Sequence, residues 1–153
     1  MFVRGQWEVL GMAAKWRIEF YEDAQGRKPV EKWIDGLSAQ KAEAVVVALQ
    51  EVLGVNGITL ASAAWLKSLG KGLYEFRIRH SALEIKSMYK AANKGLEGGV
   101  EAILLRIFVA FEGEKLIVLL GAYDKGKNDK QGFQQAQIEI ARKRLRDWKR
   151  RRA

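Results

Sequence analysis

The segment Ile103–Lys127, ILLRIFVAFEGEKLIVLLGAYDKGK, leaves the chain few alternatives. Two apolar runs, Ile103–Phe111 and Lys115–Tyr123, flank the short polar link Glu112-Gly113-Glu114. β-Branched and aromatic residues dominate both runs, which predicts an antiparallel hairpin. Side chains alternate along a strand, so Ile103, Leu105, Ile107, Val109 and Phe111 share one face and Arg106 points to the other. The second run is apolar on both faces, as a strand covered from both sides requires. It breaks into Gly-Ala-Tyr-Asp-Lys-Gly-Lys, a basic loop. A guanidinium on an apolar strand, with lysines at the end of its neighbour, marks a place for an anion.

The rest of the chain narrows the chemistry. Its 153 residues favour one domain. Without cysteine there are no disulfides, thiolate nucleophiles or Cys-ligated metals. His80 is the only histidine, so no multi-His metal site and no convincing Ser-His-Asp triad can be assembled. Neither metal nor cofactor is expected. The N-terminus has no clear signal-peptide core, and no apolar run approaches the roughly 18 residues of a membrane span, so a soluble, cytoplasmic protein without a membrane partner is expected. The net charge of +9 is uneven: residues 1–120 carry 16 basic and 14 acidic side chains, residues 121–153 carry 11 and 4. Such an excess fits a polyanion, nucleic acid before an anionic membrane, or a solvated tail.

In chain order, residues 1–14 form an N-terminal extension or a short edge strand. Trp16–Tyr21 alternates as a first strand. Pro29 suits the first helical position, and Val30, Trp33, Ile34 and Leu37 share a face of the helix it opens. Ser38 is a candidate N-cap for a second helix that Gly54 ends. Residues 55–64 are expected as a loop. Leu73–Arg79 is a strand with Tyr74, Phe76 and Ile78 inward and Glu75, Arg77 and Arg79 on the other face. Residues 80–102 are an insertion between paired strands, with Leu83–Tyr89 a possible strand and Met88 and Tyr89 as packing groups. Residues 132–152 form a long basic helix with Ala141, Leu145 and Trp148 as its apolar stripe, preceded by Phe133 or Ile138.

With WRIEFYEDAQGRKPVEKWIDGL, LKSLGKGLYEFRI, LLRIF and IVLLGAYDKGK in view, the chain resembles the phage-derived branch of the HigB/RelE-like toxins of type II toxin–antitoxin pairs. The ordered set covers about residues 15–145. The resemblance implies an α+β fold: a RelE/ParE-like small antiparallel sheet with helices packed on one side, two N-terminal helices packed on it here, and a long basic C-terminal helix. It implies an mRNA interferase, often acting on the ribosome, neutralised by a helix-turn-helix antitoxin. Two positions depart from the family: Val109 where a tyrosine is common, and Gly121 where a histidine is common.

Metal-free RNA cleavage uses the 2′-hydroxyl of the substrate as nucleophile. It needs a base, an acid, and fixed cations for the phosphoryl oxygens. Arg77 and Arg106 are the first candidates for the cations, their planar forks matching phosphate. Otherwise they pair with Glu75 or Asp147. Lys125 and Lys127 hold phosphate or donate a proton, or lie in a solvated loop, and Lys67, Lys71 and Arg79 are further candidates for the same groove. Glu75 or His80 is a candidate base, and Tyr123 a stacking group, a proton donor or a core residue. Two other functions remain in competition: a ParE-like protein that binds gyrase and cleaves no RNA, and a non-enzymatic nucleic-acid binder driven by the basic helix.

Overall fold

A computed structural model of the chain describes residues 15–89 and 102–152. The expected N-terminal extension 1–14 and residues 90–101 of the expected insertion lie outside them. Five strands build one sheet: β1 (Arg17–Phe20), β2 (Leu66–Gly70), β3 (Leu73–Ile78), β4 (Leu105–Glu112) and β5 (Leu116–Asp124), in the order β1-β5-β4-β3-β2. β2 to β5 pair antiparallel, but β1 lies parallel to β5, with Arg17 opposite Leu116 and Phe20 opposite Leu119. The sheet is therefore mixed, which corrects the expectation of an antiparallel one. Alternation within Trp16–Tyr21 fixes which side chains face inward and is silent on strand direction.

Helices cover both faces, not one. On the first face lie α1 (Pro29–Asp35) and α2 (Ala39–Val47), with Ser38 capping α2 through Lys41 N at 3.3 Å. α2 runs on through a π-helical turn, Ala48–Leu53, a short α-turn, Gly54–Asn56, and a 3-10 turn, Gly57–Ser62. Gly54 does not end the helix, and residues 55–62 are not a loop. The break comes at Gly57, whose φ of 54° and ψ of −138° suit glycine alone. This run, Ala39–Ser62, is long and apolar enough by composition to cross a bilayer, contrary to expectation, but 56% of its apolar window is buried, as in a core helix. Its buried residues, among them Val45, Leu49, Val52 and Leu53, share one cluster with Phe76, Ile78, Leu105, Ile107, Val109, Ile117 and Leu119 of the sheet.

α3 (Ala82–Tyr89) replaces the strand expected at 83–89. Its start is a capping box: Ser81 Oγ accepts from Glu84 N at 3.2 Å, while Glu84 Oε1 accepts from Ser81 N at 2.9 Å. Ile85 is buried, whereas Met88 is 53% exposed and packs little.

The second face carries α4 (Gln131–Arg152). Ile138, Ala141, Leu145 and Trp148 pack on Tyr21, Leu73, Phe108, Ala110, Val118 and Leu120. β5 serves both layers by alternation and carries one bulge. Phe108 pairs with Gly121 but Val109 with Leu119, leaving Leu120 as the extra residue, and Arg144 donates to its carbonyl at 2.9 Å.

Much of the basic charge on α4 is spent on this docking. Arg142 binds the carbonyls of Leu69 and Gly70, Arg152 and the Trp148 indole both donate to Glu19, and Arg151 reaches Glu22 O. Asp147 accepts from Tyr21 Oη at 2.7 Å and from Arg150 and Arg151 at 2.6 Å. The tyrosine hydrogen bond, aided by the arginines, lowers the Asp147 pKa. A carboxylate whose pKa falls on folding contributes stability above its unfolded value of about 3.9, and that contribution is lost as pH drops through the folded value. Acid titrations of the fold, followed by circular dichroism, are therefore expected to show a shallower acid limb in Asp147→Asn than in the parent.

Candidate functional site

β3, β4 and β5 align three polar side chains in one row across the second face. Arg77 is opposite Arg106, and Arg106 is opposite Tyr123. Glu75, two residues before Arg77 on the same face, is fully buried and lies between the guanidiniums. Its Oε1 accepts from Arg77 Nε at 3.0 Å and stands 3.8 Å from Arg106 Nε, while its Oε2 accepts from Gln134 Nε2 of α4 at 2.9 Å. One carboxylate thus serves two arginines and leaves a surplus positive charge.

The cluster grades from open to closed. The Arg77 side chain is 23% exposed, whereas Arg106 is 4% and Tyr123 3% exposed as residues. The first turn of α4 makes the cover: Phe133 meets the Tyr123 ring at 5.5 Å, while Phe108 stacks on Tyr123 from within the sheet. Arg106 Nη1 donates to Leu105 O at 3.2 Å, but Arg106 Nε and Tyr123 Oη are buried without a hydrogen-bond partner among the described residues. Burial lowers the Arg106 pKa, opposed by the charge of Glu75 and reinforced by Arg77 and Arg79. Burial, then the Glu75 charge, raises that of Tyr123, so the phenol keeps its proton at neutral pH. Two adjacent buried hydrogen-bonding groups without partners, in a positively charged place, suit an anion or an ordered water.

Other expected site residues fall around this row at varying range. Lys67 is opposite Glu75 on edge strand β2 and is exposed. Arg79 is exposed just beyond β3. Lys125 and Lys127 follow β5 at the sheet end where Leu105 pairs with both Ile78 and Asp124, and Lys125 N donates to Leu104 O at 2.8 Å. Lys71 is not brought in. It occupies the β2–β3 turn at φ 55°, at the opposite end of that hairpin. His80 is half-buried, 4.0 Å from Glu84 and with its ring 5.6 Å from that of Trp65. Asp147, the alternative partner for Arg77 and Arg106, is engaged by Tyr21 instead.

The two departures from the family pattern have structural counterparts. Val109 is buried in the first-face core, on the side away from Arg106. A Cβ at Gly121 would lie in ordinary contact, 3.5 Å from Arg144 Nη1 and 3.8 Å from Ala141 Cβ, so a side chain at this position would face α4.

Sequence reasoning missed Gln134, Phe133 and the pair Lys41–Asp124. Lys41 Nζ of α2 meets Asp124 Oδ2 at 2.7 Å, both nearly buried, while Asp124 Oδ1 accepts from Gly126 N at 2.9 Å and fixes the turn bearing Lys125. An Asp two residues before a glycine is a turn signature that the sequence did show. Gln134 had no signal of its own. Removing one member of a buried pair strands the other charge, so Lys41→Met is expected to cost about 3–5 kcal/mol in urea unfolding, with Lys41→Met/Asp124→Leu recovering part of it.

Among the described residues no group of three or more His, Asp or Glu side chains is placed to hold a metal ion. Comparison with protein-family models finds no match to the chain, and comparison with the curated proteins finds none.

Proposed function

We propose that the protein is the toxin of a type II toxin–antitoxin pair, of the HigB/RelE-like kind, and acts as a metal-independent mRNA endonuclease. The observation that carries this reading is the row Arg77–Arg106–Tyr123, with its surplus positive charge and two buried groups, Arg106 Nε and Tyr123 Oη, that have no hydrogen-bond partner among the described residues. In the reaction, the RNA 2′-hydroxyl gives up its proton to water and attacks the adjacent phosphorus. The bond to the 5′-oxygen breaks, and that oxygen takes up a proton. A cyclic phosphate and a free 5′-hydroxyl result. Arg77 meets the non-bridging oxygens at the surface, and Arg106 adds charge from below, in a partly dry place where fixed donors act most strongly. Glu75 holds both arginines and so positions them; its two oxygens are engaged by Arg77, Arg106 and Gln134, which argues against a direct part as base. Tyr123, protonated by its surroundings, is the candidate donor to the leaving oxygen. Full contact with Arg106 and Tyr123 requires the first turn of α4 to move aside. Lys125 and Lys67 extend the cationic surface along the RNA, and ribosomal RNA or a helix-turn-helix antitoxin would meet the same charge.

Induced expression is expected to arrest growth and leave message fragments with cyclic phosphate ends, and Arg77→Ala/Arg106→Ala to restore growth at equal protein level. Unchanged toxicity in that double variant would remove this site from consideration. One observation favours a second reading, gyrase binding without cleavage: Arg106 is covered, and positions 109 and 121 supply no acid or base. An intact message pool accompanied by DNA breaks would select it.

A further inference from the structure

Arg77 is also a wall of a second feature, an open cleft of about 40 Å³ lined by Ala64, Trp65, Arg77, Arg79 and His80. Three kinds of group converge here. The Trp65 indole is half-buried, backed by the Phe76 ring at 5.9 Å and a 22° tilt, and its backbone carbonyl accepts from Arg77 N at 2.7 Å. The His80 ring stands beside the indole at 53°. Arg79 is exposed and takes part in none of the ion pairs or hydrogen bonds that hold Glu75, Arg77 and Arg106 together. A simple anion can use the guanidiniums and the ring N–H groups but not the flat faces of an indole and an imidazole. The carboxylates of an acidic peptide would pair with the guanidiniums but bring no flat ring to lay on the aromatic surface. A nucleotide joins a phosphate to a flat aromatic base a few ångströms away, and this cleft pairs guanidiniums with flat aromatic surface in the same way. The volume is too small to engulf a nucleotide, so the base would lie against the ring surfaces at the mouth of the cleft. Only an unstacked base can do so, which selects single strands over duplex.

We propose that Trp65 and His80 form a nucleobase subsite for single-stranded nucleic acid, with Arg79 holding the phosphate flanking that base and Arg77 linking the subsite to the Glu75–Arg106 cluster. It rests on the reading of that cluster as a phosphate site, but not on cleavage. The test therefore uses short 2′-deoxy oligonucleotides, which lack the nucleophile, and measures binding by fluorescence anisotropy. A base-containing strand is expected to bind the parent roughly tenfold or more tighter than an abasic strand of equal charge. Trp65→Leu is expected to erase that preference while leaving affinity for the abasic strand and its salt dependence unchanged. Should Trp65→Leu unfold, His80→Ala, outside the cores, is expected to reduce the same ratio, and Arg79→Ala to weaken both strands alike. Equal binding of the two strands by the parent would overturn the proposal, as would an acidic peptide of matching charge displacing them as effectively as a base-containing strand. Base preference without any RNA cleavage would retain the subsite and remove the endonuclease reading. Cleavage without base preference would do the reverse.

Discussion

Glu75→Ala is expected to cost the fold about 3–5 kcal/mol and to abolish whatever activity Arg77 and Arg106 support. The reason is the asymmetry of buried charge. Arg106, 4% exposed, has the Glu75 carboxylate 3.8 Å from its Nε. Without that carboxylate a guanidinium remains in the sheet face with Arg77 across the strand and no anion to offset either, and breaking a buried pair from one side carries a penalty of that size. Gln134 loses its acceptor as well, which releases the first turn of α4. Glu75→Gln keeps the shape and is expected to lose less in urea unfolding. A compensated variant, Glu75→Leu/Arg106→Met, is expected to recover stability and not activity. If Glu75→Ala were as stable as the parent, the closed, charge-paired arrangement would not be the one that exists in solution. The same variants examined for growth arrest separate folding from function: recovered stability with recovered toxicity would show that the arginine row does no chemistry.

The second large effect is expected far from this site. A Cβ at Gly57 would stand 2.0 Å from Trp16 Cε2, and the residue holds φ 54° and ψ −138°, so Gly57→Ala meets both an overlap and a forbidden backbone. The two penalties together are expected to reach about 3 kcal/mol or more, a fall in melting temperature of about 10 °C for a chain of this length. Trp16 is not free to retreat. Its backbone N–H donates to Gly54 O at 2.7 Å, and its ring meets Phe111 edge-on at 5.6 Å. Adding Trp16→Ala to Gly57→Ala should cost less than the sum of the single changes, since the overlap is then gone. Additive losses in that cycle would mean that backbone conformation alone sets the cost.

These two sites mark where the chain was and was not legible. The hairpin 103–123 and the strand 73–78 could be found because alternation is a local property. The stripe of α4 followed from helical spacing in the same way, although it alone did not reveal that the helix lies on the face opposite α1 and α2. Alternation put Glu75, Arg77 and Arg106 on the face away from Phe76 and Ile107, and that face was expected to be open; the covering α4 turns a polar face into a partly buried one. Gly57 was hidden because its necessity depends on Trp16, a residue 41 positions earlier whose proximity no local pattern records. The Ser81–Glu84 capping box, by contrast, was visible in four consecutive residues and outweighs the β-character of Leu83, Ile85 and Tyr89. Of the candidate site, the arginines and Tyr123 were legible as charge or aromaticity at the right parity. Gln134 and Phe133 were not, because their part depends on where a helix lands.

The parallel pairing of β1 bears on how the protein comes off the ribosome. β1 emerges first, yet its sheet partner begins at Leu116, and the contact between Glu19 and Trp148 joins residues 129 apart. A closure of such long range comes late and slowly. Until β5 and α4 have been made, the nascent chain has an unclaimed leading strand and lacks the helix that covers Arg106. Burial of Arg106 and Tyr123 therefore waits for α4, and a truncated product ending before Gln131 would have no means of reaching the closed form.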